Sequence, residues 1–269
     1  MLTTLLRPSS GNAVICSHDV LRQRNEVRQN IGVVFQEPAL ETELTGEENL
    51  DFHARMYGLS HNQRQQRIQE VLTLVDLLDK KDALVKHYSG GMKRRLEIAR
   101  GLMHAPTVLF LDEPTLGLDA QTRRAIWDYI KTMNREKKTT IFLTTHYMDE
   151  ADSLCDRIGI IDHGRILVLD TVNRLKASLG DDVISLTCTN QAQFQKRLTQ
   201  EPWVHHLKVQ DEFLTFGTER GEEKIPLVMD LARSQQIAVR SITIRKPTLD
   251  DVFLHYTGRN IRDQDKGVG

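Results

Sequence analysis

The stretch Val108-Leu109-Phe110-Leu111-Asp112-Glu113-Pro114-Thr115 decides the fold. Four apolar residues in a row make a strand that has helices on both faces, which is how strands of a parallel sheet read. Two carboxylates and a strand-stopping proline end it. In open α/β sheets the carboxyl edge of the strands is where ligands bind. Successive strand residues point to opposite faces. Asp112 and Glu113 can therefore take different tasks, one holding Mg²⁺ and the other polarising a water. Read alone, the same segment is a strand followed by an acidic turn.

Outward from this strand the same pattern recurs. Ala13 to Cys16, Ile31 to Phe35, Thr107 to Asp112, Thr139 to Thr145 and Arg157 to Asp162 are short β-type runs, the second nearly all apolar and the last three of the same kind. Helices alternate with them: Ile126, Tyr129, Ile130 and Met133 fall at i, i+3, i+4 and i+7. That alternation predicts an α/β fold with a mostly parallel sheet. A helical insert interrupts it between Leu44 and Lys86. Thr45 with Glu48 and Ser60 with Gln63 are capping-box pairs that open two helices. In the second, Ile68, Val71, Leu72, Val75 and Leu78 share a face, which leaves Arg64 and Arg67 on a solvated one.

Past about Gly180 the order becomes strand Val183 to Cys188, helix Gln191 to Gln200, strands Val204 to Val209 and Phe213 to Gly217, helix Pro226 to Gln236, and strand Val239 to Ile244. This β-α-β-β-α-β order is that of a small ferredoxin-like α+β unit. A short helix near Thr248 to Thr257 follows. The expected domains are 1–180 and 181–258, with a polar tail, 259–269, that frays.

Composition narrows the function classes. Among 269 residues, 36 Lys and Arg stand against 37 Asp and Glu, a formal net charge of −1. This gives neither the basic footprint of a nucleic-acid binder nor a polybasic membrane anchor. No apolar run approaches the roughly 20 residues of a membrane span. Three dispersed cysteines, Cys16, Cys155 and Cys188, form no disulfide framework and fit a reducing cytosol. The histidines show no ligand spacing, and His205 and His206, adjacent on a strand, face opposite ways.

Four further features carry chemistry. Ser89-Gly90-Gly91 leads into an amphipathic helix with Met92, Leu96, Ala99 and Met103. Ser89 is a good N-cap, and a helix start with bare N–H groups is an anion site. Gln36 ends the strand Ile31 to Phe35, His146 follows the strand Thr139 to Thr145, and Asp119 sits in Leu116-Gly117-Leu118-Asp119. Singly these are a turn residue, a structural histidine and a helix N-cap. Their joint occurrence in this order is improbable by coincidence.

Together they resemble the ATP-binding subunits of ABC transporters from Met1 to about Gly180. Val34-Phe35-Gln36 is similar to the Q-loop and Ser89-Gly90-Gly91-Met92-Lys93 to the signature motif. Leu111-Asp112-Glu113-Pro114-Thr115 is similar to the Walker B strand end, Gly117-Leu118-Asp119 to the D-loop, and His146 to the switch histidine. Tyr88 and Met92 depart mildly from the usual signature. Thr3 to Gly11, Tyr88 to Met92 and Pro247-Thr248-Leu249-Asp250-Asp251-Val252-Phe253-Leu254 resemble the drug-exporter branch of the daunorubicin-resistance type, which also carries a small C-terminal domain.

The resemblance implies an ABC-type P-loop ATPase core with a helical subdomain, using ATP and Mg²⁺. It implies a dimer of ATPase subunits and a separate transmembrane permease that exports a drug-like substrate. The chain would lie in the cytoplasm against the inner face of the membrane. Asp112 and Gln36 would hold Mg²⁺, while Glu113, His146 and Gln36 would serve hydrolysis. Ser89, Gly90, Gly91 and Asp119 would meet nucleotide. The family's phosphate cradle GxxxxGK[ST] has no counterpart here, because no glycine is followed by lysine. Met1 reads as mid-helix, just downstream of that motif, so the expectation is an N-terminally truncated chain that binds Mg-ATP poorly alone. The alternatives are a non-catalytic or regulatory subunit that lends its signature to a partner's ATP site, and a soluble ABC ATPase of DNA repair or translation. The neutral charge and the C-terminal unit argue against the last.

Overall fold

The computed structural model describes residues 1–180 and 182–258, Gln210 by its backbone alone. The tail expected to fray, 259–269, lies outside them. The chain divides into two units, Met1–His146 and a second beginning at Tyr147.

The first unit opens with a hairpin of β1 (Val14–Ile15) and β2 (His18–Asp19), followed by α1 (Arg24–Asn30) and β3 (Ile31–Val34). The insert supplies α2 (Gly46–Met56) and α3 (His61–Leu74). Then come α4 (Gly90–Gly101), β4 (Val108–Asp112), α5 (Ala120–Lys137) and β5 (Thr140–Thr144). β3, β4 and β5 form a parallel sheet in that order, with Val34 opposite Leu111 and Asp112 opposite Thr144. This register brings three strand ends, and with them Gln36, Glu113 and His146, to one carboxyl edge. α4 packs on β3 and α5 on β5. Leu96, Ile98, Met103, Leu109, Leu111, Ile126 and Met133 are fully buried among them. Each such side chain contributes about 1.5–3 kcal/mol of transfer free energy. The approach of α4 to β3 depends on Gly32, because a Cβ there would lie 2.3 Å from the Gly101 carbonyl oxygen.

Both expected caps form. Thr45 Oγ1 accepts from Glu48 N–H while Glu48 accepts from Thr45 N–H, and Gln63 Oε1 accepts from Ser60 N–H. Arg64 and Arg67, expected on a solvated face, are instead partly buried and engaged. Arg64 binds Asp51 and the Leu59 carbonyl, and Arg67 reaches the Leu102 carbonyl at 2.7 Å. Long stems let charged heads on a helix flank turn back to backbone acceptors. Leu78 belongs to a separate 3-10 turn rather than to α3. The run Ala13 to Cys16 shrinks to two strand residues outside the parallel sheet, because Cys16 and Ser17 take left-handed backbone to make the hairpin turn. β5 alternates in exposure, with Phe142 half exposed beside Phe110, so it is not covered on both faces.

The second unit starts with α6 (Met148–Leu154), β6 (Arg157–Asp162), β7 (Arg165–Thr171) and α7 (Val172–Ala177). β6, grouped in the sequence with the parallel strands, pairs antiparallel with β7. The cause is a two-residue turn, His163-Gly164, with both residues at positive φ, the hairpin-forming conformation. The remaining elements are β8 (Asp182–Cys188), α8 (Gln191–Leu198), β9 (His205–Gln210), β10 (Phe213–Thr218), α9 (Gly221–Ser234), β11 (Val239–Arg245) and α10 (Leu249–Thr257). They make an antiparallel sheet of order β11-β8-β10-β9. α8 and α9 bury Phe194, Leu198, Val228 and Ala232 against Ile184, Leu186, Leu214 and Phe216. α9 begins five residues earlier than expected and runs through Pro226. α10 is capped by Thr248 with Asp251 and closes a second core around Leu175, Leu179, Leu249 and Val252. Among the described residues no helix is long and apolar enough to cross a membrane.

Candidate functional site

β4 ends on Asp112, and the chain leaves the sheet through Glu113 at φ +45. A side-chain-bearing residue in that region carries backbone strain of about 1–3 kcal/mol and persists only where its surroundings hold it. Glu113 N–H donates to the Thr144 carbonyl of β5 at 3.1 Å, and its own carbonyl accepts from Arg94 at 3.0 Å. The turn thereby aims the Glu113 carboxylate along the sheet edge. There Oε2 accepts from Gln36 Nε2 at 3.2 Å, and Oε1 lies 3.1 Å from His146 Nδ1. Residues from two neighbouring strand ends, Gln36 and His146, thus converge on the Glu113 carboxylate at the third. Each carboxylate oxygen has a second acceptor site, so this orientation leaves room for a water. Asp112 Oδ1 accepts from the Thr144 hydroxyl, which also accepts from Glu113 N–H at 3.3 Å.

Ser89, Gly90, Gly91 and Asp119 form a separate group. Ser89 caps α4, its Oγ accepting from Met92 N–H at 3.2 Å. Asp119 caps α5, accepting from Gln121 and Thr122 N–H at 3.0 Å each and from the Thr122 hydroxyl at 2.6 Å. The Thr122 hydroxyl, and then its N–H, lower the Asp119 pKa below the usual carboxylate value. A Cβ on Gly91 would lie 2.5 Å from Thr122 Cγ2, so the starts of α4 and α5 touch where only glycine fits. Around Gly90 nothing lies within 4 Å of a Cβ, which leaves an open helix start.

The residue that joins the two groups is Arg94, which sequence reasoning missed. Its guanidinium, 7% exposed, donates to the carbonyls of Phe35, Asp112, Glu113 and Pro114 at 2.5 to 3.0 Å and pairs with Glu97 at 3.1 Å. Glu97, 1% exposed, also accepts from Ala39 N–H at 2.7 Å, and Arg100 donates to the Ala39 carbonyl. α4 thus grips the chain on both sides of Gln36. The sequence signal was available: Arg94 and Glu97 fall on the same helical face as the buried Ile98 and Gly101.

The carboxylates suit a hard divalent cation. Their partners among the described residues are a hydroxyl, an amide and an imidazole, with no Lys or Arg side chain to neutralise them. Two oxygen-bearing side chains, Asp112 and Gln36, stand at the same edge, and Mg²⁺ needs few protein ligands because it keeps waters and phosphate oxygens. No cluster of three or more His, Cys, Asp or Glu able to hold a metal by itself occurs among the described residues. Beside the Gln36 segment lies a cavity of about 470 Å³ lined by Phe35, Phe52, Met56 and Tyr57, with Tyr57 stacked on His104 at 3.8 Å. Burial, with Arg100 and His104 adding, lowers His53 there to about 4.

Comparisons with known proteins bear on this geometry. Residues 1–116 match the family described as "ABC transporter", and residues 171–257 match the "ATP-binding protein DrrA1-3-like, C-terminal domain". The chain is 38% identical over 268 residues to the daunorubicin/doxorubicin resistance ATP-binding protein DrrA of Streptomyces peucetius, covering 98% of this chain and 81% of that protein. It is 36% identical over 271 residues to the linearmycin resistance ATP-binding protein LnrL of Bacillus subtilis, covering 98% and 86%. Among solved structures it is similar to cbiO1 of Clostridium perfringens, part of the ABC transporter complex cbiONQ, with a TM-score of 0.61 and 26% identity over 75% of this chain and 77% of that one. It is also similar to a dimeric ATP-binding cassette, MJ0796, bound to ADP and Pi, with a TM-score of 0.56 and 27% identity over 63% and 76%.

Proposed function

The chain belongs to the ATP-binding subunits of ABC transporters, in the DrrA-like drug-resistance branch, and we propose on that premise that it energises export of a drug-like substrate through a separate membrane permease. The observation that carries the site assignment is the convergence of Gln36 and His146 on Glu113. Glu113 orients and deprotonates the attacking water. His146 holds one carboxylate oxygen and faces the terminal phosphate, and Gln36 holds the other. Asp112 and the Gln36 amide oxygen would hold Mg²⁺, which would supply charge neutralisation at the phosphate oxygens. Phosphoryl transfer asks for this combination of positioning and electrostatics.

Ser89, Gly90 and Gly91 present the open start of α4 to nucleotide on a second ATPase subunit, beside Asp119. Within these 269 residues no glycine is followed by lysine. What these residues add to a shared ATP site is the signature helix together with the Glu113 edge. The open start of α4 at Gly90 also fits, as a second reading, a subunit whose signature serves a partner's nucleotide. The apolar cavity beside Gln36, with Phe52 and Met56 exposed, is the proposed seat of the permease. Docking there places the chain on the inner face of the membrane. Functionally we divide the chain at 180 and read 181–258 as a ferredoxin-like unit, a reading supported by its antiparallel sheet with two helices packed on it.

The test is ATP turnover and drug efflux by the assembled transporter with Glu113→Gln and, separately, Ser89→Arg. Losing a general base lowers the rate by about 10²–10⁴-fold. Under the first reading both variants abolish turnover. Under the second only Ser89→Arg does. Turnover unchanged by both removes the assignment.

A further inference from the structure

We propose that the second unit holds a small-oxyanion site between the four-stranded sheet and α10, built from His206, Lys208, Arg245 and His255. These side chains line a cavity of about 100 Å³, backed by Leu179 and Val183. A water's share of liquid volume is about 30 Å³. The cavity takes a few waters or one tetrahedral or trigonal oxyanion, and excludes a nucleotide.

The backbone is bent to build it. On β10 Thr215 opposes Lys208 while Gly217 opposes His205, so three steps on β9 match two on β10. His206 occupies this bulge at φ +53, a region that residues with a Cβ seldom adopt. Bulges re-aim side chains. The plain alternation expected of His205 and His206 is broken, and the His206 ring meets His255 of α10 with centroids 4.2 Å apart. Gly217 across the bulge has no room for a Cβ, which would lie 1.9 Å from the Leu179 carbonyl oxygen. The wall of the cavity is therefore fixed in place.

The charge around it is unbalanced. Lys208 Nζ donates to the Leu254 carbonyl near the end of α10. Arg245 holds Asp251 in a two-point pair at 2.5 and 2.7 Å. Among the described residues Asp251 is the one carboxylate lining the cavity, and it is already matched. Lys208 has three donors and Leu254 takes one. Among the lining side chains one cation is thus in excess of the carboxylate, and the His255 imidazole stands beside it. Burial lowers Lys208 below its ordinary value. Burial first, then His206 and Lys208, does the same to His255. Positive charge crowded in this way is what an anion relieves. A metal ion would meet Lys208 and Arg245, and two imidazoles do not complete a coordination shell.

Affinity rises as pH falls, because proton uptake by His255, whose ring meets His206 and faces the cavity, adds charge facing the ligand. The groups that face them are His205 and Lys208 from β9, Arg245 from β11, and Asp250, Asp251 and Tyr256 from α10. Leu179, Val183 and Thr215, which close the remaining sides, do not ionise.

The experiment titrates the full chain with sulfate, whose charge is constant from pH 6 to 8, against chloride at equal ionic strength. Histidine ring resonances are followed by NMR. The expected result is saturable binding on the order of millimolar at pH 6, weaker by about tenfold at pH 8. His206 and His255 respond first, and sulfate raises the titration midpoint of His255. Lys208→Met weakens binding by about tenfold, and His206→Gln with His255→Gln removes the pH dependence, while Lys224→Met changes neither. Binding that does not saturate, or that moves remote histidines equally, means an adventitious ion only and overturns the site. An unmoved His255 midpoint in the unmutated chain overturns it without recourse to any variant.

Discussion

Replacing Arg94 by Met tests the architecture of the candidate site at one side chain. Met keeps the aliphatic reach and loses every donor. Four backbone carbonyls then lose a partner, and Glu97, 1% exposed, is left as a buried charge facing an apolar side chain. Removing one partner of a buried ion pair costs about 3–5 kcal/mol. A carbonyl left unsatisfied costs about 1–3 kcal/mol where water cannot reach it. Because the turn at Glu113 can relax towards solvent, we take about 4 kcal/mol for the total, close to the ion-pair figure alone. For a chain of this size that is roughly a 10 °C fall in Tm. The assay is thermal unfolding by circular dichroism at pH 7. Arg94→Met with Glu97→Gln removes the stranded charge and recovers most of the loss, since the carbonyls that relax towards solvent cost little. Arg94→Lys recovers less than its charge suggests, because one ammonium cannot fork to four carbonyls. An Arg94→Met protein that melts within about 2 °C of the parent would refute the reasoning.

Two further outcomes follow from local geometry. Gly32→Ala places a Cβ 2.3 Å from the Gly101 carbonyl oxygen, so α4 and β3 must separate, at about 1–3 kcal/mol or more, whereas Gly90→Ala meets nothing within 4 Å and leaves the melting curve in place. Equal stability of the two variants contradicts the packing described. His53, lowered to about 4, resists protonation in the folded chain while the unfolded chain takes a proton near 6.5. The unfolded state thus binds more protons between those values, and the stability is present above 6.5 and lost as pH falls towards 4. With partial solvent screening the loss is roughly 2–3 kcal/mol, and denaturant melts of His53→Phe across that range should lack this slope.

Much of the candidate site was legible because it rests on periodicity. Val108 to Asp112 could be only a covered strand, and a parallel register then carries whatever follows each strand to the same edge. That is why Gln36, Glu113 and His146 meet although 77 residues separate the first two and 33 the last two. What was illegible depends on departures from periodicity. β6 has the apolar content of a parallel strand, and only the positive φ of His163 and Gly164 turns it into a hairpin. His205 and His206 alternate on any regular strand, and a one-residue bulge undoes that. Arg64 and Arg67 occupy the polar face of α3, yet their stems are long enough to find carbonyls that belong to other segments. A helical wheel assigns directions to Cβ atoms and not to guanidinium groups.

Arg94 also decides how the site can move. One guanidinium binds Phe35 on the Gln36 side and the Asp112, Glu113 and Pro114 carbonyls on the other, and Glu97 and Arg100 hold Ala39 from the same helix. A shift of α4 that left either segment behind would strand buried carbonyls at about 1–3 kcal/mol each. A shift that carries both preserves every bond of the Arg94, Glu97 and Arg100 fork. The start of α4 at Ser89, the Gln36 segment and the Glu113 turn therefore behave as one body. Contact made at Ser89, Gly90 or Gly91 reaches the Glu113 carboxylate by rigid displacement of a helix. Loosening the fork at Arg94 should then uncouple the two ends of the site even where each end keeps its own local geometry.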